Sequence, residues 1–526
     1  MAVMTYNASK TVTRPVLVNG MRACWVLVIL WCELGTFSWS LRDCAWPDAL
    51  LSTRSAAVQP EHVLVIADPQ ILDHRSYPGR NFLLTRLSQF IVDWNIRKSW
   101  RVTTKLRPDA VVFLGDMMDG GRFDMPASEY EAYFARFKST FKLPGTVPVY
   151  YLPGNHDIDL GESEYFSKYA RDRFVTHFGP LNQQVSRGNH TLVLLDTPSL
   201  VNEDRNRAEL GMSYDQWTAT PGGTAQFVQY LRPDHHKNGI VMFTHIPLHR
   251  PDGSSCGPLR ESGTIRRGSG FGYQNTLSES ATRFLLDHVQ PMLTLSGDDH
   301  DYCEYTHTLV PSESRSSERA HVREVTVKSF SMAMGVRRPG FQLLSLAAPK
   351  RNNAYSSAPK GETVADRPCL LPDQLGIYLS VYVPLLVLSL LVLLLFRLFR
   401  PDDHHRHHSS STHRRSNSIS QHRNSDDVRL ADEDESEAYL LPTVRGPNGS
   451  APTFPAHPPR SHQRDLSFTF TLGGQHRRLR VPLVCLGMRR DMRGERGMVR
   501  AFAQDVVDVA WPPLLLFMLL AVWMFR

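Results

Sequence analysis

Five short segments hold most of the side chains able to bind a cation or move a proton. Asp68 and Gln70 stand in DPQ; Asp116, Asp119 and Arg122 in GDMMDGGR; Asn155, His156 and Asp157 in GNHD; His245 and His249 in THIPLHR; Asp298 and His300 in SGDDHD. Carboxylate oxygens, amide oxygens and imidazole nitrogens are the donors that divalent cations take. Two cations about 4 Å apart need a bridging carboxylate, and such a pair promotes in-line attack on phosphorus while stabilising its equatorial oxygens. Asp116 is the expected bridge. His156, directly after Asn155, is the expected acid for a leaving oxygen. Taken singly, these residues say little: an Asp after a strand is commonly a turn or cap, and Gly154-Asn155 alone is a plain turn. A lone His249 is commonly a loop residue, although its position suits substrate contact. Asp196 and the His235-His236 pair stand outside the five segments and are read as structural.

The segments share a setting. Apolar runs at 63–67, 111–114, 147–152, 240–243 and 292–295 precede them and read as buried strands. Pro69 cannot donate to a ladder and stops the first strand. Gly115 lets the second turn sharply. Open α/β sheets place ligands at such strand ends. Helical periodicity covers 81–100, 129–141 and 281–289, and further strands are expected at 191–195, 322–328 and 341–346. A Gly-, Ser- and Arg-rich loop at 251–275 is expected to lie over the site.

The 526 residues, 42% of them hydrophobic, allow two or three domains. Apolar segments at 23–40, 375–396 and 509–525 are candidate membrane spans. The first is interrupted by Glu33 and reads as a retained anchor, with a cleaved signal peptide as the alternative. The third contains Trp511-Pro512-Pro513 and either spans or dips into the interface. Basic residues before the first span (Arg14, Arg22) and after the second (Arg397, Arg400) put those flanks in the cytosol, and the region between in the lumen. The expected layout is a cytosolic tail (1–22), an anchor (23–41), a lumenal domain (42–371) and a second span (372–398). A disordered cytosolic segment (399–505) and a hydrophobic C-terminal helix (506–526) follow. The net charge of +7 sits largely in the late segment, where it flanks a membrane; no nucleic-acid partner is expected. That segment has a His tract at 404–408, Ser/Arg-rich sequence near 416–420 and an acidic run at 432–437. Its partners are not legible. Asn189-His190-Thr191 is a sequon on the expected lumenal side; Asn7-Ala8-Ser9 lies on the cytosolic side. The seven cysteines include no CxxC pair. An oxidising lumen permits Cys44–Cys369 and Cys256–Cys303 bridges, with free buried thiols as the alternative.

DPQ, GDMMDGGR, GNHD, THIPLHR and SGDDHDYCE, in that order, resemble the five blocks of calcineurin-like metallophosphoesterases. With SFSMAMGVRRPGFQLLSL at 329–346, the chain resembles most closely the membrane-bound branch of the fungal cell-division-control and post-GPI-attachment remodelling phosphodiesterases. The resemblance covers about residues 60–350 and the membrane frame. It implies a four-layer αββα sandwich. Asp68, Gln70, Asp116 and His300 would hold one metal; Asp116, Asn155, His245 and Asp298 would hold the other. His156 would be the acid, oriented by Asp157, while Asp119 and Arg122 shape the loop, with Arg122 in reach of a substrate phosphate. The superfamily usually has His where Gln70 and Asp298 stand. The oxygen-rich set suits a harder ion, so Mn²⁺ is expected over Zn²⁺. The implied activity is removal of ethanolamine phosphate from a mannose of the GPI-anchor glycan, on GPI-anchored proteins, at an endoplasmic reticulum or Golgi membrane. Two alternatives stay open: a phosphoesterase for another lumenal ester, and a non-catalytic scaffold or cargo adaptor with a degraded site.

Overall fold

The computed structural model describes residues 13–51, 59–161, 165–231, 239–308, 321–347, 362–399, 466–472, 475–481 and 495–525. The strands in chain order are β1 Glu61–Ile66, β2 Ala110–Phe113, β3 Val149–Tyr151, β4 Gln183–Arg187, β5 His190–Leu195, β6 Ile240–Thr244, β7 Ser269–Gly270, β8 Tyr273–Gln274, β9 Leu293–Ser296, β10 Cys303–Thr308, β11 His321–Thr326, β12 Gly340–Leu346 and β13 Val364–Leu370. One sheet runs β13-β12-β1-β2-β3 and another β10-β11-β9-β6-β5-β4. Pairings β1–β2, β2–β3, β5–β6 and β6–β9 are parallel. Within each sheet their C-terminal ends therefore lie on one side.

Side-chain alternation builds the layers. Val63, Val65, Val112, Leu192, Leu194, Val241 and Phe243 fill the space between the sheets. Their neighbours Leu64, Ile66, Val111 and Phe113 pack outward onto the helices Phe82–Thr103 and Ala127–Thr140. On the second sheet, Val193, Leu195 and Met242 meet the helices Thr197–Glu209 and Glu279–Val289. The result is the expected αββα sandwich. Asp196, read as structural, caps Thr197–Glu209 by accepting the Ser199 N–H at 2.9 Å. Both cysteine pairs are bridged, Cys44–Cys369 and Cys256–Cys303. Asn189 is exposed at the β4–β5 turn.

Three helices, Arg14–Ser40, Gln374–Phe399 and Gly497–Phe525, are long and apolar enough to cross a membrane; the protein is a membrane protein. The first begins at Arg14, inside the segment read as a tail, because Pro15 fits a first turn. Arg14 pairs there with Asp505 at 2.7 Å and with Asp508. The third is one helix that absorbs Pro512 and Pro513. Glu33, the interruption in the first span, is buried in a π turn at Trp31–Gly35. It meets Lys98 Nζ of the Phe82–Thr103 helix at 2.5 Å and accepts the Tyr382 hydroxyl at 2.8 Å. A buried charge in a span needs such partners.

The chain divides into two units, the second lying between 396 and 501. Within the segment read as disordered it holds an antiparallel pair, Leu466–Leu472 with Gln475–Val481. The alternation in LSFTFTL explains that departure. The His tract, the Ser/Arg and acidic runs, Asn7 and His235-His236 lie outside the described residues.

Candidate metal centre

The strand ends bring the five segments together. The bend at Gly115 has φ +95°, and a Cβ there would lie 2.5 Å from His245 Nδ1. A Cβ on Gly154 would strike Asp116 Oδ1. Both glycines are required by how closely neighbouring segments approach Asp116 and His245. Asp68, Gln70, Asp116, Asp298 and His300 all have positive φ, making five of the eight such non-glycine residues among the described residues. Backbone strain of this kind concentrates where a fold serves a site.

Asp116 is buried at the centre. Its Oδ2 accepts the Gln70 side-chain amide at 2.7 Å, and its Oδ1 accepts the His156 backbone N–H at 2.8 Å. Asp68, Asp116 and His300 offer ligand atoms within 4.8 Å of one another. His245 donates Nδ1–H to the Leu114 carbonyl at 2.7 Å, and its Nε2 lies 3.0 Å from Asn155 Oδ1. That nitrogen is also 3.4 Å from both Asp116 and Asp298. The Asp298 N–H donates to Asp68 Oδ1 at 3.2 Å. All seven residues expected to bind metal are thus in one cluster. Gln70, whose amide can offer oxygen or N–H, here gives its N–H to Asp116.

The electrostatics test whether these residues suit cations. Asp68 Oδ2 is buried without a hydrogen-bond partner among the described residues. Burial, against the attraction of His245 and with the repulsion of Asp116, holds the Asp68 carboxyl well above the usual range. Burial opposes a charge on His245, yet Asp116 and Asp298 outweigh it and raise the imidazole well above its ordinary value. Burial likewise works against ionised Asp116, but His245 and His156 draw it below its ordinary value. Besides burial, the directions of these shifts reflect a cluster with more carboxylates than basic groups. Divalent cations supply positive charge directly, so the donor set fits them.

Two roles given by the resemblance differ from the contacts found. Among the described residues, the His156 ring has no hydrogen bond or ion pair with Asp157. The Asp157 carboxylate accepts N–H groups of Gly154 at 3.0 Å, Met118 at 3.3 Å and Met117 at 3.4 Å, which ties GNHD to GDMMD. Burial, then Asp116, pushes it up to about 7. The residue at His156 is Asp119: its carbonyl accepts Nδ1–H at 2.7 Å and its carboxylate lies 3.3 Å away. The GNHD turn points the Asp157 side chain under the loop and leaves the ring to its neighbour. Arg122 commits Nη1 to the carbonyls of Asn155 at 3.0 Å and Gly272 at 2.6 Å. Asn155 Nδ2 also donates to Gly272, so the 251–275 loop closes onto the site. His249 is held by its backbone N–H on Thr282, and its ring makes no hydrogen bond to the cluster among the described residues.

Glu324 was not legible as important. On buried β11 it accepts the Leu248 N–H at 3.0 Å and the Ser296 hydroxyl at 2.8 Å, joining THIPLHR to SGDDHD. Arg250 Nη2 lies 2.7 Å away as an ion pair, and His307 Nε2 hydrogen-bonds it at 2.7 Å. The available signal was a carboxylate inside the strand-like run HVREVTV.

The calcineurin-like phosphoesterase family model matches residues 61–302, from β1 through Tyr302. Cell division control protein 1 of Saccharomyces cerevisiae is 33% identical over 357 residues, covering 66% of this chain and 68% of that protein. Metallophosphoesterase 1 of Xenopus laevis is 24% identical over 356 residues, covering 64% and 82% respectively. The Metallophosphoesterase 1 homolog of Drosophila melanogaster is 24% identical over 346 residues, covering 62% and 83%. The chain belongs to the calcineurin-like metallophosphoesterases and is a metal-dependent phosphoester hydrolase.

Proposed function

We propose that the chain is a dimetal phosphodiesterase that removes ethanolamine phosphate from a mannose of the GPI-anchor glycan. Its catalytic domain faces the lumen of the endoplasmic reticulum or Golgi. The observation that carries the reading is Asp116, buried between the Asp68/His300 donors and the Asn155/His245/Asp298 donors. Asp68, Gln70, Asp116 and His300 would hold one divalent ion, and Asp116, Asn155, His245 and Asp298 the other, with Mn²⁺ favoured by the oxygen-rich set. Divalent ions held there would supply positive charge to the phosphoryl oxygens and lower the pKa of water. His245 keeps Nε2 free of a proton in its neutral form, because Nδ1–H is committed to Leu114. His156, one-quarter exposed, has its Nδ1–H fixed by Asp119. Its Nε2 is then the nitrogen that gives a proton to the leaving mannose oxygen. Arg122 and Asp157 hold the loops in register. The two disulfides and the adjoining spans support a membrane-side lumenal site.

Mass analysis of GPI glycans from cells lacking the protein tests the substrate. Retained ethanolamine phosphate on one mannose is the expected result; unchanged glycans would sink this substrate while leaving the hydrolase intact.

A further inference from the structure

The Phe82–Thr103 helix is inverted over its first three turns. Its polar residues Thr85 and Gln89 are buried against the protein, both 7% exposed. Its large apolar residues face outward: Leu83 is 76% exposed, Leu87 52% and Phe90 39%. With Trp94 these positions fall within about 60° of arc at 100° per residue, a single stripe. Phe82 and Leu84 flank it and are also exposed. In water this arrangement is the wrong way round, since an amphipathic helix buries its apolar stripe.

The far end of the stripe shows what covers it. Phe90 stacks on Phe525 at 5.4 Å, and Trp94 stacks on Phe517 at 4.6 Å. Phe517 and Phe525 belong to the C-terminal part of the third candidate span. Further along the same helix, Lys98 meets Glu33 of the first span. The apolar stripe is thus continuous with the membrane-embedded surface, and Arg80 and Arg86 lie beside it as cationic anchors of the kind interfacial helices carry.

We infer that residues 82–90 form an interfacial membrane helix, with Leu83, Leu87 and Phe90 sunk among the acyl chains of the leaflet beside the catalytic domain. The segment from Gln70 to Asn81 runs from the candidate metal centre into this helix, so the inserted stripe ties that centre to the membrane surface. The occupant is lipid rather than a second copy or another protein. This inference rests on the spans and not on the identity of the substrate.

Spin-label accessibility tests it. The full-length chain, with Cys24, Cys32 and Cys485 replaced by Ser, is labelled singly at Leu83→Cys, Leu87→Cys or the exposed Asp215→Cys in phosphatidylcholine nanodiscs. Labels at 83 and 87 should collide with oxygen several-fold more than with an aqueous nickel chelate, with the reverse at 215. Preference for the chelate at 83 and 87 would place the stripe in water. Shielding from both reagents would mean that protein covers it. Either outcome overturns the inference. Only labelled proteins that hydrolyse a soluble nitrophenyl phosphodiester at the parent rate are scored, so a misfolded variant cannot imitate a result.

Discussion

Two buried clusters on this sandwich use the same ingredients to opposite ends. Around Glu324, every carboxylate oxygen has a partner: Arg250 and His307 on Oε2, the Leu248 N–H and the Ser296 hydroxyl on Oε1. Burial works against that charge, but Arg250 and His307 outweigh it and draw the carboxyl down to about 2. Around Asp116, carboxylates face one another, Asp68 Oδ2 has no hydrogen-bond partner among the described residues, and burial pushes the Asp68 carboxyl up instead. The Glu324 residues show no positive φ; the Asp116 cluster concentrates it. A carboxylate cluster balanced by its own cations is structure. One left short of positive charge on a strained backbone is built to receive it.

The contrast can be broken by removing the central carboxylate of each cluster. Asp116→Asn should lower phosphodiester hydrolysis about 10⁴-fold, since several kcal/mol of charge stabilisation depend on the ions it would hold. Its thermal unfolding midpoint in detergent, measured free of metal, should hold or rise. Glu324→Gln should do the reverse. Leaving Arg250 without its buried partner costs about 3–5 kcal/mol of stability, read as a lowered unfolding midpoint. Glu324 also predicts a pH dependence. Its folded value lies below the ordinary 4.5, so its contribution is complete above about 4.5 and is lost as pH falls towards 2. Acid unfolding of the parent should steepen in that window relative to Glu324→Gln; identical curves would contradict the assignment.

Much of this was legible because buried parallel strands are short apolar runs, and each of five ends in the residues it positions. The sandwich and both disulfides were also within reach. Thr197–Glu209 was not, because its buried face carries Glu203, Asp204 and Arg207 and so lacks an apolar stripe. Strand β4 was hidden by its half-exposed edge position. Glu324 was hidden because its partners come from β9, β10 and the loop after β6. The choice between Asp157 and Asp119 at His156 depends on which way one turn aims its side chains, and that is set by tertiary packing rather than local pattern.

Two smaller effects sharpen the division of labour inside the site. His156→Ala should cost about 10³-fold in turnover, with metal content unchanged, and should be partly rescued by a substrate with a good leaving group such as nitrophenol. Asp119→Asn should cost about tenfold, because the carbonyl that takes Nδ1–H remains. A larger loss for Asp119→Asn than for His156→Ala would mean that Asp119 acts on the metals rather than through the imidazole.

Sharing of Asp116 by two ions fixes a metal stoichiometry that can be measured. Full-length protein purified with Mn²⁺ and desalted should carry about two ions per chain by inductively coupled plasma mass spectrometry, and Asp116→Asn should carry fewer than one while keeping the parent's fold. A parent without metal, or an Asp116→Asn variant that still holds two ions, would mean that Asp116 is not a shared ligand.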